Sequence, residues 1–176
     1  DLDRIVVGLD PATTSGAGSD ECGIVAVGAQ TKGPPQDWRA VVLADCTVQG
    51  ATPNGWAQAA IAAMTRYGAD RLVAEVNQGG QLVSEVLRQV DPLVSLKTVH
   101  AARGKVARAE PVAALYEQGR VCHLPGLDAL EDQMCLMTAR GYEGKGSPDR
   151  VDALVWALHE LMIEPASQWR SPGVRS

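Results

Sequence analysis

Three Val-rich apolar runs lead the chain: RIVVGLD at 4–10, CGIVAVG at 22–28 and WRAVVLAD at 38–45. Each is bounded by Gly, Pro, Ser or Asp, and the spacings suit antiparallel pairing, so a three-stranded meander is predicted. The period then changes. Over 54–67 (NGWAQAAIAAMTRY) Trp56, Ala59, Ala60, Ala63 and Met64 share one helical stripe, which predicts a helix capped by Asn54 and closed by Gly68. RLVAEV at 71–76 reads as a strand, a helix follows near 79–90, and LVSLKTV at 93–99 reads as another strand. Strand, helix, strand in that order requires a parallel crossover. Downstream the pattern predicts a helix from Lys105 to Gln118 ended by Gly119, a short strand RVCHL, and a polar helix around 127–139. A glycine-rich loop GYEGKGSP and an amphipathic helix from Asp149 to Ile163 complete the order. With no internal repeat, this predicts one mixed α/β domain over 1–165 and a loose tail over 166–176.

Composition narrows the class. A chain of 176 residues with 45% hydrophobic and 21% charged content suits one domain with a sizeable core. No apolar run approaches the roughly 20 residues that span a bilayer, so no membrane association is expected. The four cysteines (Cys22, Cys46, Cys122, Cys135) form no CxxC pair, which favours buried reduced thiols and an intracellular setting. A net charge of −5 argues against a generic nucleic-acid coat. Locally, though, Lys97, Arg103, Lys105 and Arg108 make a positive strip with no acid among them. Its ordinary reading is a solvated helix face.

The candidate chemistry lies in carboxylates. Asp10 ends the first strand and Glu75 lies near the end of the fourth. If those strands are neighbours, both acids emerge at one sheet edge and repel. In SPDRVDALVWAL, Asp149 and Asp152 stand three apart, on one face of a first helical turn, where free N–H groups tolerate anions. Singly, each acid also fits an ordinary role: Asp149 a cap or first-turn residue, Glu75 a surface acid, Asp10 an Asx-turn before Thr13 and Thr14. Jointly, like charges at the edge of a dry sheet call for divalent cations or raised pKa values. Oxygen ligands without His or Cys at ligand spacing favour Mg²⁺ or Mn²⁺ over zinc. Two ions about 4 Å apart would activate a water and stabilise the leaving oxygen in phosphodiester cleavage. His100 and His123 suit packed or hydrogen-bonded roles better than ligation.

Together VGLDPA, VAEVNQGG, ARGKVARAEPVAALYEQGRVCHL and SPDRVDALVWAL resemble the nuclease domain of the large terminase subunit of tailed phages, over residues 4–163. The resemblance implies a ribonuclease H-like fold with a mixed central sheet flanked by helices. It also implies a metal-dependent endonuclease that cuts concatemeric viral DNA during genome packaging, in the cytoplasm of the host cell. Asp10 and Glu75 match the first two acids of the metal site. The pair before Ala-Leu supplies the third, with Asp149 ranked slightly ahead of Asp152 as direct ligand. Lys105 and Arg108 are the leading candidates to hold DNA phosphates, with Arg103 and Lys145 beside them; Lys145 sits at the tip of a loop that covers the site or touches DNA. Partners implied are double-stranded DNA, the motor ATPase domain of the full-length subunit, the portal and the small terminase subunit. The chain is not itself the motor, since Gly104-Lys105 is followed by Val106 and no GxxxxGK[ST] occurs. GLDPATT lacks GxGxxG and leads into a turn and strand, which excludes a dinucleotide-binding domain. Two other functions remain open: a structure-selective resolvase of the same fold, and a nucleic-acid-binding or assembly module without catalysis.

Overall fold

The computed structural model describes residues 1–11, 21–77 and 80–169. Strands β1 (Arg4–Asp10), β2 (Glu21–Gln30) and β3 (Arg39–Asp45) form the expected antiparallel meander. A short β4 (Val48–Gln49) pairs with the start of β2. Helix α1 (Pro53–Tyr67) leads to β5 (Arg71–Glu75), which pairs parallel to β1, and α2 (Gly80–Val90) crosses to β6 (Leu96–Val99), parallel to β5. After α3 (Lys105–Glu117), β7 (Val121–His123) adds to β3 in parallel, giving the order β6-β5-β1-β2-β3-β7. Then come α4 (Asp128–Cys135), a minimal hairpin of β8 (Met137–Thr138) and β9 (Gly141–Tyr142), and α5 (Asp149–Leu158). A π-type turn over His159–Ile163 carries α5 into α6 (Glu164–Gln168).

Several boundaries differ from the sequence reading for local reasons. Thr52, not Asn54, caps α1: its hydroxyl accepts from the Gly55 N–H, and Pro53, with φ preset for a helix, occupies the first turn. Gly68 does close that helix, at φ +58. Strand β6 is shorter than predicted because Asp91 turns the chain, its side chain accepting from the Leu93 N–H and its carbonyl from the Val94 N–H. Helix α4 stops at Cys135, and the hairpin uses residues assigned to its end. Residues 166–168, expected to be loose, belong to α6. Thr13, Thr14, Gly79 and the tail from 170 lie outside the described residues.

Alternation along the strands divides the core into two layers. Val7 and Leu9 of β1 and Leu72 and Ala74 of β5 face α1 and α2, packing with Trp56, Ala57, Ala60, Ala63 and Leu87. Val6 and Val73 face the other layer, with Val151, Leu154, Val155 and Leu158 of α5 and Leu130 of α4. Asp10 shares the parity of Val6, and Glu75 that of Val73, so both acids belong to the α5 side.

On that side α5 lies closer to the sheet than side chains would permit. A Cβ on Gly8 would overlap the Ala153 carbonyl, and one on Gly23 would overlap the Asp149 carbonyl. Both obstacles are helix backbone, which no rotamer change can clear. Gly8→Ala and Gly23→Ala are therefore each expected to lower unfolding free energy by about 2 kcal/mol or more, as overpacking does. Urea unfolding followed by circular dichroism measures this; a loss under about 0.5 kcal/mol, the range of ordinary surface substitutions, would contradict the close approach.

Candidate metal centre

Parallel pairing of β1 with β5 ends at Leu9 opposite Ala74, so Asp10 and Glu75 follow side by side at the C-terminal edge of the sheet. The turn of α5 over Gly23 brings its first residues to the same edge. Pro148 precedes the helix and accepts the Asp152 N–H at 2.8 Å, which fixes the turn carrying Asp149 and Asp152. Asp10, Asp149 and Asp152 each offer a carboxylate oxygen, all within 4.8 Å of one another. Glu75 is not in that group. Its Oε2 instead accepts from Trp156 Nε1 at 2.8 Å and from Arg108 Nη1 at 3.3 Å.

Two cations from α3 serve these acids. Lys105 Nζ donates to Asp152 Oδ2 and, at 3.0 Å, to Ser147 Oγ. It is 42% exposed, whereas Asp152 is 4% exposed, so the pair spans the boundary between solvent and core. Arg108 is 7% exposed, with its guanidinium carbon 4.6 Å from the centre of the Trp156 ring. Its Nε is buried with no hydrogen-bond partner.

The electrostatics follow from burial and like charge. Burial, then the carboxylates of Asp152, Glu75 and Asp149, push Asp10 up to about 9, with Lys105 opposing. Burial also raises Asp149, against hydrogen bonds with Ser147 and Asp10 that favour its ionised form. Asp152 is raised by burial too, and its bond to Lys105 offsets only part of that. Burial is the largest single influence on the Lys105 ammonium and would lower it, but the bond to Asp152 together with the charges of Asp152, Asp10 and Asp149 makes the net shift upward. Among the described residues four acids (Asp10, Glu75, Asp149, Asp152) meet two cations (Lys105, Arg108), and the three grouped donors are hard carboxylate oxygens without sulfur or imidazole among them. Such a set fits a divalent cation of the Mg²⁺ or Mn²⁺ type.

The positive strip expected over Lys97 to Arg108 is mostly neutralised inside the fold. Lys97 bonds Glu160 and Glu164, Lys105 bonds Asp152, and Arg108 bonds Glu75. Arg108 thus departs from the solvated face expected of the strip, because its place on α3 faces Trp156 and not solvent. Arg103 and Lys145 are exposed. His123 is hydrogen-bonded, as expected, between Tyr116 Oη at 2.6 Å and Glu131 Oε1 at 2.9 Å, and His100 is exposed.

Sequence reasoning missed Trp156, Ser147 and Arg150. Arg150 bridges Glu21 and Asp45, tying the start of α5 to the ends of β2 and β3. The signal for Trp156 was present: with Asp149, Asp152 and His159 it falls at spacings of three and four, one continuous stripe of α5.

With this geometry in place, comparisons with known proteins become specific. The sequence profile described as Terminase RNaseH-like domain matches residues 7–161. The fold is similar to the crystal structure of the large terminase nuclease from thermophilic phage G20c, at 19% identity and a TM-score of 0.65, covering 89% of this chain and 82% of that one. The same nuclease with bound magnesium gives 18% identity and a TM-score of 0.63, covering 88% and 79%. RuvC of Thermus thermophilus gives 15% identity and a TM-score of 0.52, covering 92% and 95%. No curated protein sequence matches the chain. These likenesses carry the ribonuclease H-like fold, and the profile match across most of the chain carries the lineage: the chain belongs to the terminase RNase H-like domain family.

Proposed function

We propose that this domain is a divalent-metal-dependent DNA endonuclease that hydrolyses phosphodiester bonds, using two ions held by Asp10, Asp149, Asp152 and Glu75. The observation that carries this reading is the convergence of three aspartate oxygens within 4.8 Å at a sheet edge. Mg²⁺ or Mn²⁺ held there would supply Lewis-acid activation of water and charge stabilisation for the leaving oxygen. The protein holds the ligands in place before substrate arrives: β1 fixes Asp10, β5 fixes Glu75, and the first turn of α5 fixes the remaining pair. Lys105, at the border between the acids and solvent, together with exposed Arg103 and Lys145, is placed to meet DNA phosphates. Arg108, the other candidate for a phosphate contact, is bonded to Glu75 in the absence of DNA. As part of a terminase the domain would cut concatemeric viral DNA in the host cytoplasm. It would do so alongside the motor ATPase domain, the portal and the small subunit.

Supercoiled plasmid incubated with the protein and Mn²⁺ is expected to be nicked and linearised, with Asp10→Asn and Glu75→Ala slowing the reaction about 100-fold or more. Undiminished cutting by Glu75→Ala would remove that residue from the site. A marked preference for a four-way junction over linear duplex would replace the packaging endonuclease with a resolvase. No cleavage and no heat on Mn²⁺ titration would leave a binding or assembly module.

Asp10 also gives a pH signature. Its folded value of about 9 lies above the unfolded value of about 3.9, so between those limits the folded state holds the extra proton. Unfolding free energy from this group therefore falls as pH rises across that window. The Tm of metal-free protein is expected to fall from pH 5 to pH 9, and Asp10→Asn to flatten that fall. Mn²⁺ should restore stability most at the alkaline end, where it displaces the least proton. A fall of equal slope in Asp10→Asn would show that other groups govern it.

A further inference from the structure

Glu75 is held by two donors on the same oxygen, and neither is a metal or a solvent-facing group. Trp156 Nε1 and Arg108 Nη1 both reach Oε2, while among the described residues Oε1 takes part in no hydrogen bond. Both donors are locked in turn. Trp156 is buried in α5, four residues beyond Asp152, and Arg108 lies beneath its ring. His159 Nε2, at the start of the π-type turn that follows α5, sits 2.8 Å from the Arg108 carbonyl oxygen and ties α3 to that turn. Arg108 keeps a buried, unpartnered Nε to make this arrangement, an unusual cost for a residue with no assigned task.

We infer that Arg108 and Trp156 are positioning residues that fix Glu75 beside the three-aspartate group with one oxygen available, so that divalent ions bind in order. This rests on the metal-centre reading above. The grouped oxygens of Asp10, Asp149 and Asp152 would hold the first ion. A second would depend on Glu75, whose carboxylate direction is set by the two donors on Oε2. Groups that orient a ligand in this way commonly change metal affinity by about 10- to 100-fold when removed. Trp156→Phe is the informative variant, because it keeps an aromatic ring over Arg108 and deletes only the N–H.

Calorimetric titration of Mn²⁺ into the intact chain is expected to resolve two steps, the second at least about tenfold weaker. Trp156→Phe should weaken the second step about tenfold and leave the first within about threefold. Glu75→Gln should weaken the second step at least as much. Arg108→Lys, which keeps charge but not the planar fork, should act in the same direction. Circular dichroism establishes that each variant is folded. A second readout is Mn²⁺ quenching of Trp156 emission, taken as wild type minus Trp156→Phe, which should follow the second step. Two wild-type steps with the second unchanged in Trp156→Phe would overturn the positioning role while leaving the metal centre intact. Equal weakening of both steps, or a single wild-type step, would also overturn it. Absence of any Mn²⁺ binding would remove the metal centre and this inference with it.

Discussion

The approach of α5 to β1 and β2 over two glycines is the constraint on which the site depends. Gly8 and Gly23 leave the Ala153 and Asp149 carbonyls in contact with the sheet, where any side chain would hold the helix off. That distance puts the first turn of α5 at the strand ends, so a helix carboxylate and a strand carboxylate can face a common point. Arg150, bound to Glu21 and Asp45, sets the end of the helix against β2 and β3. The chemistry at the edge is thus a consequence of packing in the middle of the sheet.

Bringing acids together in a buried place costs free energy, and the fold meets part of that cost internally. Along one stripe of α5 and the turn that follows it, Asp152, Trp156 and His159 face Lys105 and Arg108 on α3, which are themselves one turn apart. Lys105 compensates Asp152 from the solvent border, and Arg108 compensates Glu75 from within. At Asp10, burial and the carboxylates of Asp152, Glu75 and Asp149 prevail over the opposing charge of Lys105 and push it up to about 9. The far end of the sheet shows the opposite balance. Glu160, in the π-type turn, is bonded by Arg4, Arg71 and Lys97, and burial, which would raise its carboxyl, is overcome by Lys97 and Arg4, which together hold it below the usual range. One end of the domain is satisfied structure and the other is short of positive charge.

Much of this was legible in the chain. Val-rich apolar runs between turn residues gave β1, β2 and β3, the strand-helix-strand order demanded the parallel crossover of β5 and β6, and spacing put Asp149 and Asp152 on one helical face. What could not be read was partner choice. A run of Lys and Arg without acids looks like a basic surface, but Lys97, Arg108 and Lys105 find acids far away in sequence, and only the fold supplies them. Gly8 and Gly23 read as ordinary strand residues until the helix backbone above them is seen. Thr52 and Asn54 are both capping residue types, and it is Pro53, preset for a first helical turn, that favours Thr52. Glu75 was expected among the grouped acids, yet its carboxylate is engaged by Trp156 and Arg108, a competition that strand parity alone does not predict.

The account turns on whether Asp10, Asp149 and Asp152 grip the same cation. Anomalous diffraction from a crystal soaked in Mn²⁺ reads this directly. The predicted result is a manganese peak bounded by oxygens of all three aspartates, with Lys105 moved off Asp152. Manganese bound elsewhere on the molecule, with Lys105 still seated on Asp152, would contradict it.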